Sequence, residues 1–214
     1  MTSKIPQPPL LLVTDRRQAR QPLEAVVAAA LSAGCRWVSV REKDMPADER
    51  ILLARSLLPL VRAQHGKLML HGEASLLKDA EIDGVHLPAG RDAAAARALI
   101  GPESILGVSI HTVTEAEQID PACVDYALAG PAFETPSKPG YGPEIGRKGL
   151  AEIAHACRVP VLAIGGINAA RIAEVLAGGA AGVAVMGGVM RAADPAQEMR
   201  SLLAVLNGAL AMRA

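Results

Sequence analysis

A chain of 214 residues and 22.2 kDa that is half apolar and 21% charged has the hydrophobic content for a packed domain and too much of it for a disordered one. Its 22 Lys and Arg balance 22 Asp and Glu, which leaves no basic field for nucleic acid and no polybasic face for lipid headgroups. Aromatic residues make up only 2%, so stacking platforms for single-stranded nucleic acid are excluded as well.

Short runs rich in Val, Ile or Leu alternate along the chain with Ala-, Leu-, Arg- and Glu-rich stretches of helical period. The run at 10–14 is followed by a helical stretch over 22–33, with Pro22 at its first turn and Gly34 past its end. A run at 36–41 leads into a long amphipathic helix over 47–63, with Leu52, Leu53, Ser56, Leu57 and Leu60 on one side. Runs at 67–70 and 84–87 flank a helix over 74–80. A helix over 93–100, a run at 104–109, a short helix over 113–119 and a strand at 125–129 follow. Residues 130–146, rich in Pro and Gly, read as a long loop. The chain ends with a helix over 147–157, strands at 159–164 and 182–186, and helices over 169–177 and 195–211.

These are eight strand–helix units with no composition break and no linker. Strands apolar on both faces that alternate with helices call for a parallel sheet, and eight repeats are the number that closes a (β/α)8 TIM barrel. The expectation is one domain over 1–214 with few insertions and a flexible tail at 1–9. An open doubly wound sheet is the alternative, disfavoured because no GxGxxG follows the first strand. No window of eighteen apolar residues suggests a transmembrane helix, and no signal-peptide core precedes Asp15. The three cysteines, Cys35, Cys123 and Cys157, form no CxxC pair and read as reduced, buried thiols. A cytoplasmic protein is expected, and a homo-oligomer is left open.

A barrel of this kind places its active site at the C-terminal ends of the strands. Arg41, Glu42 and Lys43 stand there after the second run, His71 after the third, and Ser109 and His111 at the fifth. Thr135, Ser137 and Lys138 lie in the loop after the sixth, Gly165-Gly166 after the seventh, and Gly187-Gly188 after the eighth. Each glycine pair follows an apolar strand and precedes a helix, which suits backbone amides that approach a phosphate; tight turns are the other reading. Arg41 and Lys43 alternate, so both face inward if Val40 and Glu42 face outward, and two inward cations call for an anion or for a carboxylate such as Glu42. His71 and His111 are strand-end imidazoles able to exchange a proton near neutrality, while His86, inside a strand, suits a core role equally well. No histidine spacing fits a zinc site.

Six blocks then stand in order: Val40-Arg41-Glu42-Lys43, Asp83-Gly84-Val85-His86-Leu87, Gly107-Val108-Ser109, Gly130-Pro131-Ala132-Phe133-Glu134-Thr135, Ala163-Ile164-Gly165-Gly166-Ile167 and Gly182-Val183-Ala184-Val185-Met186. Together they resemble the signature blocks of the thiamine-phosphate synthase superfamily of (β/α)8 barrels. That resemblance implies either synthases, which couple a pyrimidine pyrophosphate to a thiazole phosphate, or tautomerases, which aromatise the thiazole phosphate. A synthase carries Asn-Asp after the third strand to hold pyrophosphate and Mg²⁺; here those positions are His71-Gly72. Its second Mg²⁺ aspartate falls on the stretch Pro88-Ala89-Gly90-Arg91, with Asp92 one residue out of register, and the glutamine before its arginine is Ser39.

Since Mg²⁺ requires carboxylate oxygens, these departures point to the tautomerase branch, an isomerase with no metal and no cofactor. In that reading His111 is the base/acid and Gly165, Gly166, Gly187 and Gly188 hold the phosphate. Arg41 or Lys43 takes the substrate carboxylate, Ser109 and Thr135 line the site, and Lys138 closes over a small-molecule thiazole phosphate. His71 either replaces the lost asparagine as a contact or fills its space. The alternatives are a synthase with an altered metal site, for which Mg²⁺ would be needed, and a non-catalytic sensor of thiamine phosphates.

Overall fold

The apolar runs become eight parallel strands that pair in sequence order and close on themselves, β8 against β1. They are β1 (Leu10–Val13), β2 (Trp37–Val40), β3 (Lys67–His71), β4 (Gly84–Leu87), β5 (Ile105–Ile110), β6 (Tyr126–Ala129), β7 (Val161–Ile164) and β8 (Gly182–Val185). Around them run α1 (Leu23–Ser32), α2 (Ala47–Ala63), α3 (Leu77–Ala80), α4 (Ala93–Ile100), α5 (Val113–Glu117), α6 (Gly146–Ala156), α7 (Ala169–Ala177), α8 (Gly187–Met190) and α9 (Pro195–Ala211). The computed structural model describes residues 4–135 and 144–213. The chain is a (β/α)8 barrel, and the open sheet is excluded by the closing pair Leu10↔Val183.

Period-2 alternation divides each strand between two cores. Outward-facing Leu10, Leu12, Val38, Val40, Leu68, Leu70, Val85 and Leu106 pack under the helices. Inward-facing Leu11, Val13, Trp37, Met69, Ile105, Tyr126, Leu128, Leu162 and Ala184 fill the barrel. Trp37 and Tyr126 are both fully buried and meet edge to face, ring centroids 4.7 Å apart at 69°. Two such rings fit because the neighbouring inward positions include Gly84 and Gly107. A methyl on Gly107 would stand 2.1 Å from Tyr126 Cζ.

Within the stretch 1–9, expected as a flexible tail, Ile5 and Pro9 are buried. Ile5 is buried in the interior cluster, and Lys4 reaches the Pro102 carbonyl and Asp125 (3.2 Å). Two aspartates placed just before strands brace the neighbouring chain. Asp83 accepts from Leu68 N–H (2.8 Å) and pairs with Arg62 and Lys67. Asp125 accepts from Leu106 N–H (2.8 Å) and pairs with Arg97.

Four of the nine α-helices among the described residues start at a side-chain cap. Asp92, Thr112, Asn168 and Asp194 each accept an N–H from the first turn of α4, α5, α7 and α9. Helix α2 spans the expected residues but buries Ala54, Leu57 and Val61, and Leu52 is exposed. Leu53, Leu58 and Leu60 are partly buried against the same core, so of the apolar face only Leu52 turns to solvent. The one-turn helix α8, begun by Gly187 and Gly188, was not expected. Among the described residues no helix is long and apolar enough to cross a membrane. All three cysteines are free, but only Cys35 is buried; burial pushes its thiol up to about 11, while Cys123 and Cys157 are half-buried.

Candidate active site

The C-terminal ends of the strands surround a cleft of about 670 Å³, a size suited to small-molecule ligands. It gathers nearly every residue singled out from the sequence: Arg41, Lys43, His71, Ser109, His111, Thr135, Gly165, Gly166, Gly187 and Gly188. Lys138 and Ser137 lie outside the described residues.

Arg41 follows Trp37 and Ser39 on the inward parity of β2, and its Nη1 lies 3.9 Å from Met186 Sδ across the barrel mouth. Its charge, together with burial, holds the Lys43 ammonium below its ordinary value. Glu42, a possible partner for these cations, is committed elsewhere. Buried and facing outward, it accepts the Thr14 hydroxyl (2.7 Å), the Arg16 N–H (3.0 Å) and Arg16 Nη1 (3.2 Å). Arg16 also forms a two-point pair with Asp44 at 2.7 and 2.9 Å. Since Thr14 Oγ1 in turn accepts the Arg41 N–H (3.0 Å), Glu42 holds the strand end on which Arg41 stands. Glu42→Gln replaces one accepting oxygen by a donor facing donors. It is expected to cost about 2 kcal/mol, read as a lower urea midpoint at unchanged slope; an unmoved midpoint would show that the bonds contribute nothing.

Below the mouth lies a polar stack. The His71 and His86 rings are tilted 38° at 4.5 Å. His86 is fully buried, with Nδ1 3.1 Å from Tyr126 Oη and Nε2 2.9 Å from Ser109 Oγ. Burial first, and the Arg41 charge second, push His86 down to about 3, and burial pushes the Tyr126 hydroxyl up. A neutral imidazole donates from one nitrogen and accepts at the other, and hydroxyls take either role, so the trio is satisfied without charge. His86 is thus the core histidine of the two readings, yet it orients Ser109 at the cleft floor. His111 Nδ1 is bonded to the Gly130 carbonyl. A carbonyl only accepts, so this nitrogen carries the proton and Nε2 is left as an acceptor.

Three arginines that sequence reading missed complete the lining: Arg50 from α2, Arg171 from α7, and Arg191 just past α8. Each folds back over a strand-end glycine. The Cβ that a side chain would place on Gly72, Gly166 or Gly187 would meet Arg50 Nη1 at 2.8 Å, Arg171 Nη1 at 2.8 Å or Arg191 Nη1 at 2.4 Å. Arg50 Nη1 donates to the His71 carbonyl (3.0 Å), and Arg171 Nη1 donates to the Gly166 carbonyl (2.8 Å) from over the Phe133 ring. The only advance signal is the recurrence of Arg five residues after Gly166 and four after Gly187; nothing marks Arg50. Gly166 is also held at φ +64°, and Gly187 and Gly188 supply first-turn N–H groups that have no partner within α8.

The family described as thiamine monophosphate synthase matches residues 10–189, most of the chain. The chain belongs to the thiamine monophosphate synthase family. A thiamine-phosphate synthase from Roseiflexus sp. (strain RS-1) is 44% identical over 207 residues, 95% of this chain and 87% of that protein. One from Moorella thermoacetica is 37% identical over 202 residues, 93% of this chain and 95% of that protein. Among solved structures, the thiamine phosphate pyrophosphorylase from Pyrococcus furiosus superposes with a TM-score of 0.83 at 30% identity, covering 94% of this chain and 96% of that one.

These similarities correct the tautomerase assignment. Relatives of this thiamine monophosphate synthase family member at such identity bear the name of a transferase, not of an isomerase. The expectation rested on the missing metal-binding carboxylates alone and left out the cations that other elements bring to the cleft, among them Arg50 over Gly72.

The magnesium that membership implies does not fit the residues present. Only two carboxylates line the cleft among the described residues. Glu42 is committed to Thr14 and Arg16, and Glu134 lies on the far side, its carbonyl against Gly166. The side chain of Asp92 caps α4. At Gly72, the place where a metal-binding side chain would begin is filled by a guanidinium. No group of three His, Cys, Asp or Glu among the described residues is arranged to hold a metal.

Proposed function

We propose that the chain is a transferase that joins a pyrimidine pyrophosphate to a thiazole phosphate. The thiazole ring nitrogen gives its electron pair to the pyrimidine methylene carbon. The carbon–oxygen bond to pyrophosphate breaks, and pyrophosphate leaves with that electron pair. No base is required, since the attacking nitrogen carries no proton.

One observation carries the reading: the cations lining the cleft fall in two groups. Among the described residues, Arg41, Lys43 and Arg50 come from the β2–β3 side, with Arg41 reaching toward Met186, and Arg171 and Arg191 lie over the glycines that follow β7 and β8. Two phosphorylated substrates need two such ends, one with enough charge for a pyrophosphate and one for a monophosphate. In this reading Gly165, Gly166, Gly187 and Gly188 place backbone amides on the monophosphate. Ser109 and His111, between the two ends, hydrogen-bond the rings and align nitrogen with carbon. Thr135 lines the monophosphate side. The function of His111 is then positioning through Nε2, not proton shuttling.

The test is direct. Purified protein with both substrates is expected to release pyrophosphate and thiamine phosphate in equal amounts. Formation of neither product at any magnesium concentration would overturn the proposal.

A further inference from the structure

The β2–β3 end of the cleft has an unusual charge composition for a site expected to hold a metal. Lys43 and Arg50 enter no ion pair among the described residues, and the adjacent carboxylate, Glu42, faces Thr14 and Arg16. Arg41 stands close enough to Lys43 for its charge, together with burial, to hold the ammonium below its ordinary value. Arg50 Nε is buried and has no hydrogen-bond partner among the described residues. A buried donor of a charged group without an acceptor is costly, and so is a set of like charges held together; one multiply charged oxyanion relieves both. The planar guanidinium matches phosphate oxygens two at a time, which an ammonium does not.

The position of Arg50 is set by backbone. It leaves the first turn of α2, donates to the His71 carbonyl at 3.0 Å, and lies 2.8 Å from where any Cβ on Gly72 would be. A side chain at 72 would push the guanidinium from this place, and the φ of +145° there favours glycine.

We infer that this end of the cleft binds pyrophosphate directly through Arg41, Lys43 and Arg50, and that Arg50 over Gly72 takes the place of a divalent cation. The inference rests on the coupling reading for the identity of its ligand, but concerns a different property, the dependence of anion binding on metal. A guanidinium at this point repels Mg²⁺, and among the described residues no uncommitted carboxylate stands beside it to recruit the metal. The leaving group is held by fixed charges that do not have to be loaded from solution.

Calorimetric titration of the full chain with inorganic pyrophosphate, in EDTA and then in excess magnesium, decides the matter. The expected result is binding in EDTA that magnesium leaves unchanged or weakens, because magnesium competes for the free ligand. Arg50→Ala and Arg50→Gln are expected to weaken it about 10- to 100-fold, with Arg50→Lys in between. The affinity for thiazole phosphate at the other end serves as the control for folding and is expected to stay within about twofold. Binding at least about tenfold tighter with magnesium, no binding in EDTA, or indifference to Arg50 substitution would each overturn the inference. The comparison with and without metal uses unsubstituted protein, so it stands even if a variant does not fold. Metal-free pyrophosphate binding without coupling would remove the transferase reading alone. Coupling by a protein whose pyrophosphate binding requires magnesium would remove the inference alone.

Discussion

Gly107→Ala is expected to destabilise the barrel by about 3 kcal/mol and to lower the melting temperature by roughly 6–12 °C. The added methyl would stand 2.1 Å from Tyr126 Cζ and 2.5 Å from its hydroxyl oxygen, far inside van der Waals contact. Tyr126 has nowhere to retreat. The Trp37 ring lies against it at 4.7 Å, its hydroxyl is tied to His86, and all three side chains are fully buried. Either the Tyr126–His86 bond breaks inside the barrel, which leaves polar atoms unsatisfied, or β5 and β6 part. The only tryptophan of the chain sits at this point, so its fluorescence reports the melt. Gly208→Ala is the matched control. Nothing lies within 4 Å of its added methyl, it sits in α9, and the exchange there is expected to be neutral or stabilising by up to about 1 kcal/mol. Equal melting temperatures for the two variants would show that the interior yields, and that Gly107 is not what makes room for Tyr126.

This interior also marks the boundary of what was legible in the residues alone. Strand–helix alternation carried the barrel because both faces of each strand are apolar and the repeat count is eight; the helices at 93–100, 169–177 and 195–211 coincide with α4, α7 and α9. Strand ends carried most of the site, since chain direction puts every residue that follows a parallel strand at the same rim. What stayed hidden came from elsewhere in the chain. Arg50, Arg171 and Arg191 lie on or just beyond helices, where an arginine ordinarily faces solvent, and each reaches the cleft over a glycine that leaves room for it. Glu42 lies between two cations in sequence and was a natural partner for them, but strand alternation turns it outward to Arg16. The split of Arg41 from Glu42 was thus readable from period 2, whereas the destination of Glu42 was not, because Arg16 is in a different loop.

The same contrast applies to the tautomerase expectation, which the relatives' names contradict. The residues at positions 72 and 91 are not carboxylates, but that says nothing of cations supplied from a helix two elements away. Among the described residues the positive charge of the cleft comes from Arg41, Lys43, Arg50, Arg171 and Arg191.

Acid is expected to weaken the fold through His86. Its folded-state value of about 3 lies well below the roughly 6.5 of an exposed imidazole, with burial as the main cause and Arg41 as the second. Above about pH 6.5 the ring is neutral folded and unfolded, and contributes no pH dependence. Between 6.5 and 3 the unfolded chain takes up a proton that the native chain refuses, so stability falls as pH falls, by about 1.4 kcal/mol per unit. From pH 7 to pH 5 this group alone removes about 2 kcal/mol, and by pH 4 about 3. His86→Gln keeps a donor and an acceptor between Tyr126 and Ser109 but has no proton to gain. The variant is expected to be less stable at pH 7 and to lose about 2 kcal/mol less than the parent on going to pH 5, measured by urea unfolding at both values. Parallel losses in the two proteins would mean that His86 is protonated in the fold and that its bonds to Tyr126 and Ser109 do not hold it neutral. Because the native ring stays uncharged through this range, Ser109 keeps its orientation, and a fall of coupling activity between pH 7 and 5 in folded protein has to come from a group other than His86.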